Sequence, residues 1–119
     1  QMVTVNITDD IDAALLGVKY FLSFYVGGMG AKDANFHNDL FCRMGYAAEA
    51  EKIQQLFFEG KRDEAARVIP DELADNLSLV GSKARIKDRL QAWEESKVTT
   101  LLVATQDKEN LAEMAELIL

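Results

Sequence analysis

Three glycines crowd into the stretch Tyr25-Val26-Gly27-Gly28-Met29-Gly30, and Asn35-Phe36-His37-Asn38-Asp39 follows closely. Main-chain amides unshielded by side chains can hold a phosphate at a loop-to-helix junction. Gly27, Gly28 and Gly30 are therefore the candidate cofactor-binding residues, with Tyr25, Met29 and Phe36 as candidate walls of a substrate pocket. A structural reading competes: the glycines end one helix and admit a tight entry into the next. It is preferred, because the run follows a helical pattern and so lacks the strand, turn and helix order of nucleotide-binding loops.

Other residues with chemical potential lead less far. Asp9, Asp10 and Asp12 could gather a divalent cation, but no further oxygen ligands stand out, and capping of the next helix explains them better. His37 and Cys42 are five apart on a predicted helix, so they share a face poorly; a partly buried histidine and a small core thiol are expected. Lys83, Arg85, Lys87 and Arg89 cluster in sequence, yet a helix fans them around its circumference among Asp88, Glu94 and Glu95. A solvated face is expected there. No catalytic residue and no metal ligand is assigned.

The elements that would position these residues are mostly helical. Val3 to Thr8 alternates β-branched and polar residues and predicts a strand. From Ile11 to Tyr25, Ile11, Leu15, Val18, Leu22 and Tyr25 recur at helical spacing, with Phe21 and Phe24 widening the apolar stripe and Gly27 and Gly28 as the stop. A second helix is predicted over Asp33 to Met44 with Phe36, Leu40 and Met44 inward, and Gly45 ends it. Ala47 to Glu59 is the third, with Ile53, Leu56 and Phe57 inward and Gly60 beyond it; Arg62 to Ile69 and Asp71 to Asn76 are short helices on either side of Pro70.

Leu77 to Gly81 is apolar but too short to separate strand from loop. Ser82 caps a helix over Lys83 to Ser96 with Ile86, Leu90 and Trp93 inward. Val98 to Ala104 is a near-continuous apolar run, as expected of a strand buried on both faces of a parallel sheet. Asp107 caps the last helix, Lys108 to about Ile118, whose inward positions are Leu111, Met114, Ala115 and Ile118.

Composition sets the outer bounds. The 119 residues are 49% hydrophobic and 28% charged, which is globular. Twenty acidic against thirteen basic residues give a net charge of -7, repelling phosphate backbones and anionic membranes, so neither nucleic acid nor a membrane is expected as partner. Cys42 is the single cysteine, no run suggests a membrane span or signal peptide, and a cytoplasmic setting is expected.

The fold class that follows is α/β, with two clear strands at about 3–8 and 98–104 and about six helices. Two strands and a doubtful third cannot cover so many apolar helix faces. Residues 1–119 are therefore expected to be one segment of a larger sheet, and a closed eight-stranded barrel takes about 250 residues.

The glycine run and Asn35-Phe36-His37-Asn38-Asp39-Leu40 also carry a resemblance, together with Arg43-Met44-Gly45-Tyr46, Val68-Ile69-Pro70-Asp71-Glu72-Leu73, Leu79-Val80-Gly81 and Val98-Thr99-Thr100-Leu101-Leu102-Val103. The sequence resembles the C-terminal third of luciferase-like oxidoreductases, particularly their deazaflavin-dependent branch; His37 stands where tyrosine is the family's residue. The resemblance implies the helix-rich C-terminal portion of a (β/α)8 barrel, its N-terminal strands lying outside these residues. It implies a parent oxidoreductase that uses deazaflavin coenzyme F-420, or alternatively FMN, for hydride transfer or monooxygenation on a small organic substrate. The main cofactor contacts of such a barrel come from earlier strands, so the segment by itself is expected to be inactive. A homo-oligomeric parent stays open, as does a free-standing helical protein-interaction module built on Ala47 to Asn76.

Overall fold

The computed structural model describes residues 1–119. Strand β1 spans Met2–Ile7 and buries Val3 and Val5. Asp10 then accepts from the Ala13 amide at 3.1 Å and so starts helix α1, Ile11–Gly28. Helices α2 (Phe36–Arg43), α3 (Ala47–Phe58), α4 (Arg62–Val68) and α5 (Asp71–Asn76) follow. Strand β2 (Ser78–Gly81), helix α6 (Lys83–Glu94), strand β3 (Leu102–Ala104) and helix α7 (Lys108–Ile118) complete the chain. The fold is α/β, with seven helices and one three-stranded parallel sheet.

The chain forms two compact units, one of residues 1–15 and 75–119, the other of residues 16–74. The first holds the sheet, in the order β2-β1-β3. Thr4 pairs with Ser78 on one side of β1, and Val3 with Val103 on the other. Successive strands of an eight-stranded α/β barrel are neighbours. The step from β1 to β2 keeps that order, whereas β3 lies along the opposite edge of β1.

Val3, Val5, Leu79, Ile86, Leu90 and Met114 are the buried core of this unit, edged by Ile7, Trp93, Leu101, Val103 and Leu117. Each large side chain fully buried there contributes about 1.5–3 kcal/mol relative to exposure. The expected caps hold: Ser82 Oγ accepts from the Arg85 amide at 3.2 Å, and Asp107 Oδ1 from the Glu109 amide at 2.9 Å.

Two expectations about strands are corrected. The undecided run Leu77 to Gly81 contains β2, all four of whose residues are buried. The apolar run from Val98 yields only three strand residues, and Leu102 is 60% exposed. Its first half is lost because Ser96 accepts from the Val98 amide while donating to Trp93 O, and so prolongs the turn after α6. Helix α7 is also turned from its expected phase. Asn110 and Met114 are buried and Leu117 half-buried, whereas Leu111 and Ile118 face solvent. Asn110 causes this: its side chain accepts from the Ile7 amide and donates to Thr105 Oγ1, and both bonds require it to point inward.

In the helical unit, Gly45 and Gly60 have φ of 97° and 77°, a conformation that glycine adopts without strain, and they close α2 and α3 as expected. Gly27 and Gly28 do not close α1, which runs through both of them. Their lack of a Cβ serves another purpose. A Cβ on Gly27 would stand 2.7 Å from Phe57 Cβ, and one on Gly28 2.5 Å from Phe57 Cε1, so the pair admits the ring of α3 against α1.

Phe21 and Phe24, expected to widen the buried stripe, are 41% and 46% exposed; the inward face carries Val18, Ser23 and Val26. Helix α2 differs too. It starts at Phe36, capped by Asn35, and Phe41 is its buried residue, while Phe36, Leu40, Met44 and Cys42 are exposed. No helix of the chain is long and apolar enough to cross a membrane.

Candidate functional site

The end of α1 and the start of α2, both within the helical unit, bring Tyr25 and Phe36 each against the His37 ring. Tyr25 is the centre of a set of touching rings. Its centroid lies 4.8 Å from Phe21, 5.6 Å from Phe24 and 4.8 Å from His37, and the His37 ring lies 5.4 Å from Phe36. The interplanar angles run from 52° to 90°, the tilted and edge-on arrangements that the ring quadrupole favours. Helical spacing explains the first contacts, since Phe21 and Tyr25 are four apart on α1.

Asn35 and Asn38 hold the second helix to the first. Asn35 Nδ2 donates to the carbonyls of Tyr25 and Val26 at 3.2 and 2.9 Å, while Oδ1 accepts from the Asn38 amide at 3.0 Å. Asn38 Nδ2 donates to Val26 O at 3.2 Å and to Ala50 O of α3 at 3.0 Å. The last carbonyls of a helix have no partner within it, and these two amides satisfy those of Tyr25 and Val26. Asn35 is 3% exposed, so each bond counts for more than it would at the surface. Sequence reasoning saw Asn35 and Asn38 as part of a motif and missed this clasp. An asparagine just before a helix was the available signal.

The glycines of the candidate set are placed as follows. Gly27 and Gly28 lie in the last turn of α1 beneath Phe57. Gly30 lies beyond it, where a Cβ would meet Ala34 O at 2.4 Å, so the chain doubles back closely there before Asn35. Met29 is 47% exposed and Phe36 66% exposed. A separate open groove of about 610 Å³ is lined by Lys32, Glu51, Gln54, Gln55, Phe58 and Glu59, none of them among the candidate residues. Glu59 is held below the usual carboxylate range by the Lys61 ammonium and Gln55, and Lys61 is raised in return.

Close to the ring set, Tyr20 donates to Asp63 Oδ1 at 2.6 Å, and that bond raises the phenol above its ordinary value. The ring that touches both Tyr25 and Phe36 is His37, whose imidazole carries a donor and an acceptor nitrogen. What the phenylalanine rings of the set can do chemically is bind, since they offer flat apolar surface and edges.

The sheet unit contributes the other feature of interest. Because the sheet is parallel, the C-terminal ends of β1, β2 and β3 share one edge, where barrel enzymes place their active sites. Thr8 donates its amide to Gly81 O at 3.0 Å, and Asn110 links Ile7 to Thr105 across that edge. Of the basic residues expected as a solvated face, Lys87 is exposed, whereas Lys83, Arg85 and Arg89 form ion pairs. Arg85 binds both carboxylate oxygens of Asp75, at 3.0 and 2.8 Å, and Arg89 contacts the same residue. Lys83 bonds Glu116 at 2.6 Å.

A family described as luciferase-like monooxygenase matches residues 1–100. A Mycobacterium tuberculosis protein, provisionally named a coenzyme F-420-dependent oxidoreductase, is 42% identical over 114 residues. That match covers 96% of this chain and 33% of the relative, so the chain spans about a third of the relative's length. No solved structure matches.

Proposed function

Because this chain belongs to the luciferase-like monooxygenase family, we propose that it is the C-terminal part of a larger (β/α)8 barrel domain. The parent protein is an oxidoreductase that uses coenzyme F-420, with FMN as the alternative cofactor, on a small organic substrate. The observation that carries this reading is the 42% identity to the F-420-dependent relative across 96% of the chain. The parallel βα units and the shared C-terminal strand edge support it.

In this reading the cofactor, when bound, supplies the redox chemistry, as hydride transfer or as monooxygenation. The chain's own residues position and exclude. Tyr25, Met29 and Phe36 wall the substrate pocket; Met29 and Phe36 are exposed and Tyr25 half-buried, apolar surface that fits a substrate held by contact. Asn35 and Asn38 spend their amides on main-chain carbonyls and so keep polar groups away from that wall. Gly27, Gly28 and Gly30 serve the cofactor side indirectly, by letting Phe57 and the Asn35 turn come close. An amide cradle at Gly27 and Gly28 fits less well, since both lie within α1.

The segment alone lacks the rest of the pocket and is inactive. Fluorescence titration with F-420 and with FMN tests this: binding weaker than about millimolar is expected, and micromolar binding by the 119 residues overturns it. In the parent, Phe36→Ala should raise KM with kcat little changed, the signature of lost binding surface. A fall in kcat alone would remove Phe36 from the wall.

One observation favours the second reading, a free-standing helical interaction module. Phe21, Phe24, Met29, Phe36 and Phe58 are exposed on the helical unit, and exposed apolar surface marks interaction sites. A cooperative thermal transition of residues 16–74 expressed alone would support that module; a broad, ill-defined one would support the barrel segment.

A further inference from the structure

His37 is the one ring of the set between α1 and α2 that carries nitrogen. It meets the Tyr25 ring at 4.8 Å and 74° and the Phe36 ring at 5.4 Å and 86°, contacts close to edge-on that leave the imidazole half-buried. Asn35 and Asn38, on either side of it in sequence, spend their side chains on main-chain groups, whereas neither nitrogen of His37 is hydrogen-bonded within the chain. A half-buried polar group gives up part of its hydration, and a ligand atom that bonds it restores what was lost.

The fold also holds this residue in place. The bond from the Asn38 amide to Asn35 Oδ1 spans His37, Asn35 is tied to the Tyr25 and Val26 carbonyls, and Asn38 to those of Val26 and Ala50. The first turn of α2 is thereby fixed on both sides of the imidazole, and a group already in position loses little freedom when a ligand binds. Phe36 beside it is 66% exposed and supplies flat apolar surface. The combination suits a flat apolar body that carries an oxygen. A neutral imidazole donates to a carbonyl from one nitrogen and accepts from a hydroxyl at the other.

We infer that His37 determines specificity at the substrate wall, by hydrogen-bonding a carbonyl or hydroxyl oxygen on a flat apolar substrate. This rests on the reading of Tyr25, Met29 and Phe36 as that wall. A site built to bond an oxygen discriminates more sharply than an apolar one, because an analogue without the oxygen leaves the imidazole unpaired. The Tyr25 hydroxyl is the other polar tip of the set, and the test separates the two.

Acetophenone and α-methylstyrene have the same flat shape and differ in C=O against C=CH2, so they are the probes. Their affinities for the full-length parent protein are measured by NMR titration. The cost of removing each probe from water is common to all variants, so a change in the affinity ratio between variants reads the hydrogen bond. His37→Phe keeps a ring against Tyr25 and Phe36 and removes both nitrogens. It should lower the affinity for acetophenone relative to α-methylstyrene by about threefold to tenfold, with α-methylstyrene bound as before. His37→Gln, which restores a donor and an acceptor, should recover part of the ratio.

If His37→Phe does not fold, His37→Leu is read in its place. An unchanged ratio in the folded variant overturns the inference; if Tyr25→Phe lowers the ratio instead, the phenol makes the bond. Equal loss of both affinities also overturns it, since a merely structural role would act in that way. A wild type that binds neither probe removes the wall and His37 together. The oxidoreductase reading stands or falls separately, by cofactor titration.

Discussion

The sheet unit and the helical unit are built from different side chains. All six phenylalanines and all three tyrosines fall in residues 16–74, whereas the core of the sheet unit is Val, Leu, Ile and Met. Their polar ties differ as well. Arg85, Arg89 and Lys83 tie the sheet unit together through carboxylates, while Asn35 and Asn38 tie the helical unit through neutral amides. The difference teaches where specificity resides. Aliphatic packing under a parallel sheet is a scaffold shared by many proteins. The rings and the amide clasp belong to the helical unit, and Phe21, Phe24 and Phe36 leave flat surfaces exposed where a ligand could lie.

Cutting the clasp should give the largest effect and test whether it is as neutral as it looks. Asn35→Ala removes two donors from the carbonyls of Tyr25 and Val26 and the cap on α2. Each buried group left unpaired costs about 1–3 kcal/mol, so a loss of about 3 kcal/mol or more is expected in urea unfolding. Added salt should leave that loss unchanged, while it weakens the destabilisation caused by Asp75→Asn in the sheet unit. Equal salt sensitivity of the two would break the comparison.

A smaller loss follows from filling the gap between α1 and α3. Gly28→Ala sets a methyl 2.5 Å from the Phe57 ring, and overpacking of this kind costs about 1–3 kcal/mol. Phe57→Leu in the same chain should recover part of it, so a double-mutant cycle will show coupling. Additive effects would mean that Gly28 is needed for some reason other than Phe57.

These positions also show what the sequence made legible. Helix existence and most boundaries followed from periodicity and caps: α5 and α7 fall where predicted, and Gly45, Gly60, Ser82 and Asp107 act as expected. The rotation of α2 and α7 was not legible, whereas Ile53 and Leu56 of α3 and Ile86 and Leu90 of α6 face inward as expected. Phe36, Leu40 and Met44 share a helical stripe, as Leu111, Met114, Ala115 and Ile118 nearly do, and hydrophobicity alone turned those stripes inward. Asn35, Asn38 and Asn110 decide otherwise, because a buried amide must reach particular carbonyls and amides, and it carries its helix with it. Gly27 and Gly28 misled for a related reason: a glycine needed for close approach reads in sequence like a glycine needed for a stop. At the candidate site, the sequence offers Tyr25, Met29 and Phe36 only as candidates, and the contacts of Tyr25 with Phe21 and His37 needed the fold.

The smallest expected effects concern pH, and the two units should respond with opposite sign at the probes that separate them. In the sheet unit, Lys83 holds the Glu116 carboxyl below its ordinary value of 4.5. A lowered acid contributes stability above that value and loses it as pH falls through the folded-state pKa. In the helical unit, the bond to Asp63 raises the Tyr20 phenol above 10.0. That contribution is complete below 10.0 and disappears as pH rises through the raised value.

Glu116→Gln should therefore flatten the acid side of the stability profile, and Tyr20→Phe the alkaline side. Glu59 beside Lys61 leaves some acid dependence in the helical unit, and the raised Lys83 and Lys61 leave some alkaline dependence in both, so each variant flattens its side only in part. All of these groups are at the surface, where solvent screens them, and the shifts in unfolding midpoint will be the smallest predicted here. If Tyr20→Phe changes the acid side instead, the Asp63 bond is not what distinguishes Tyr20 from the other exposed rings of α1.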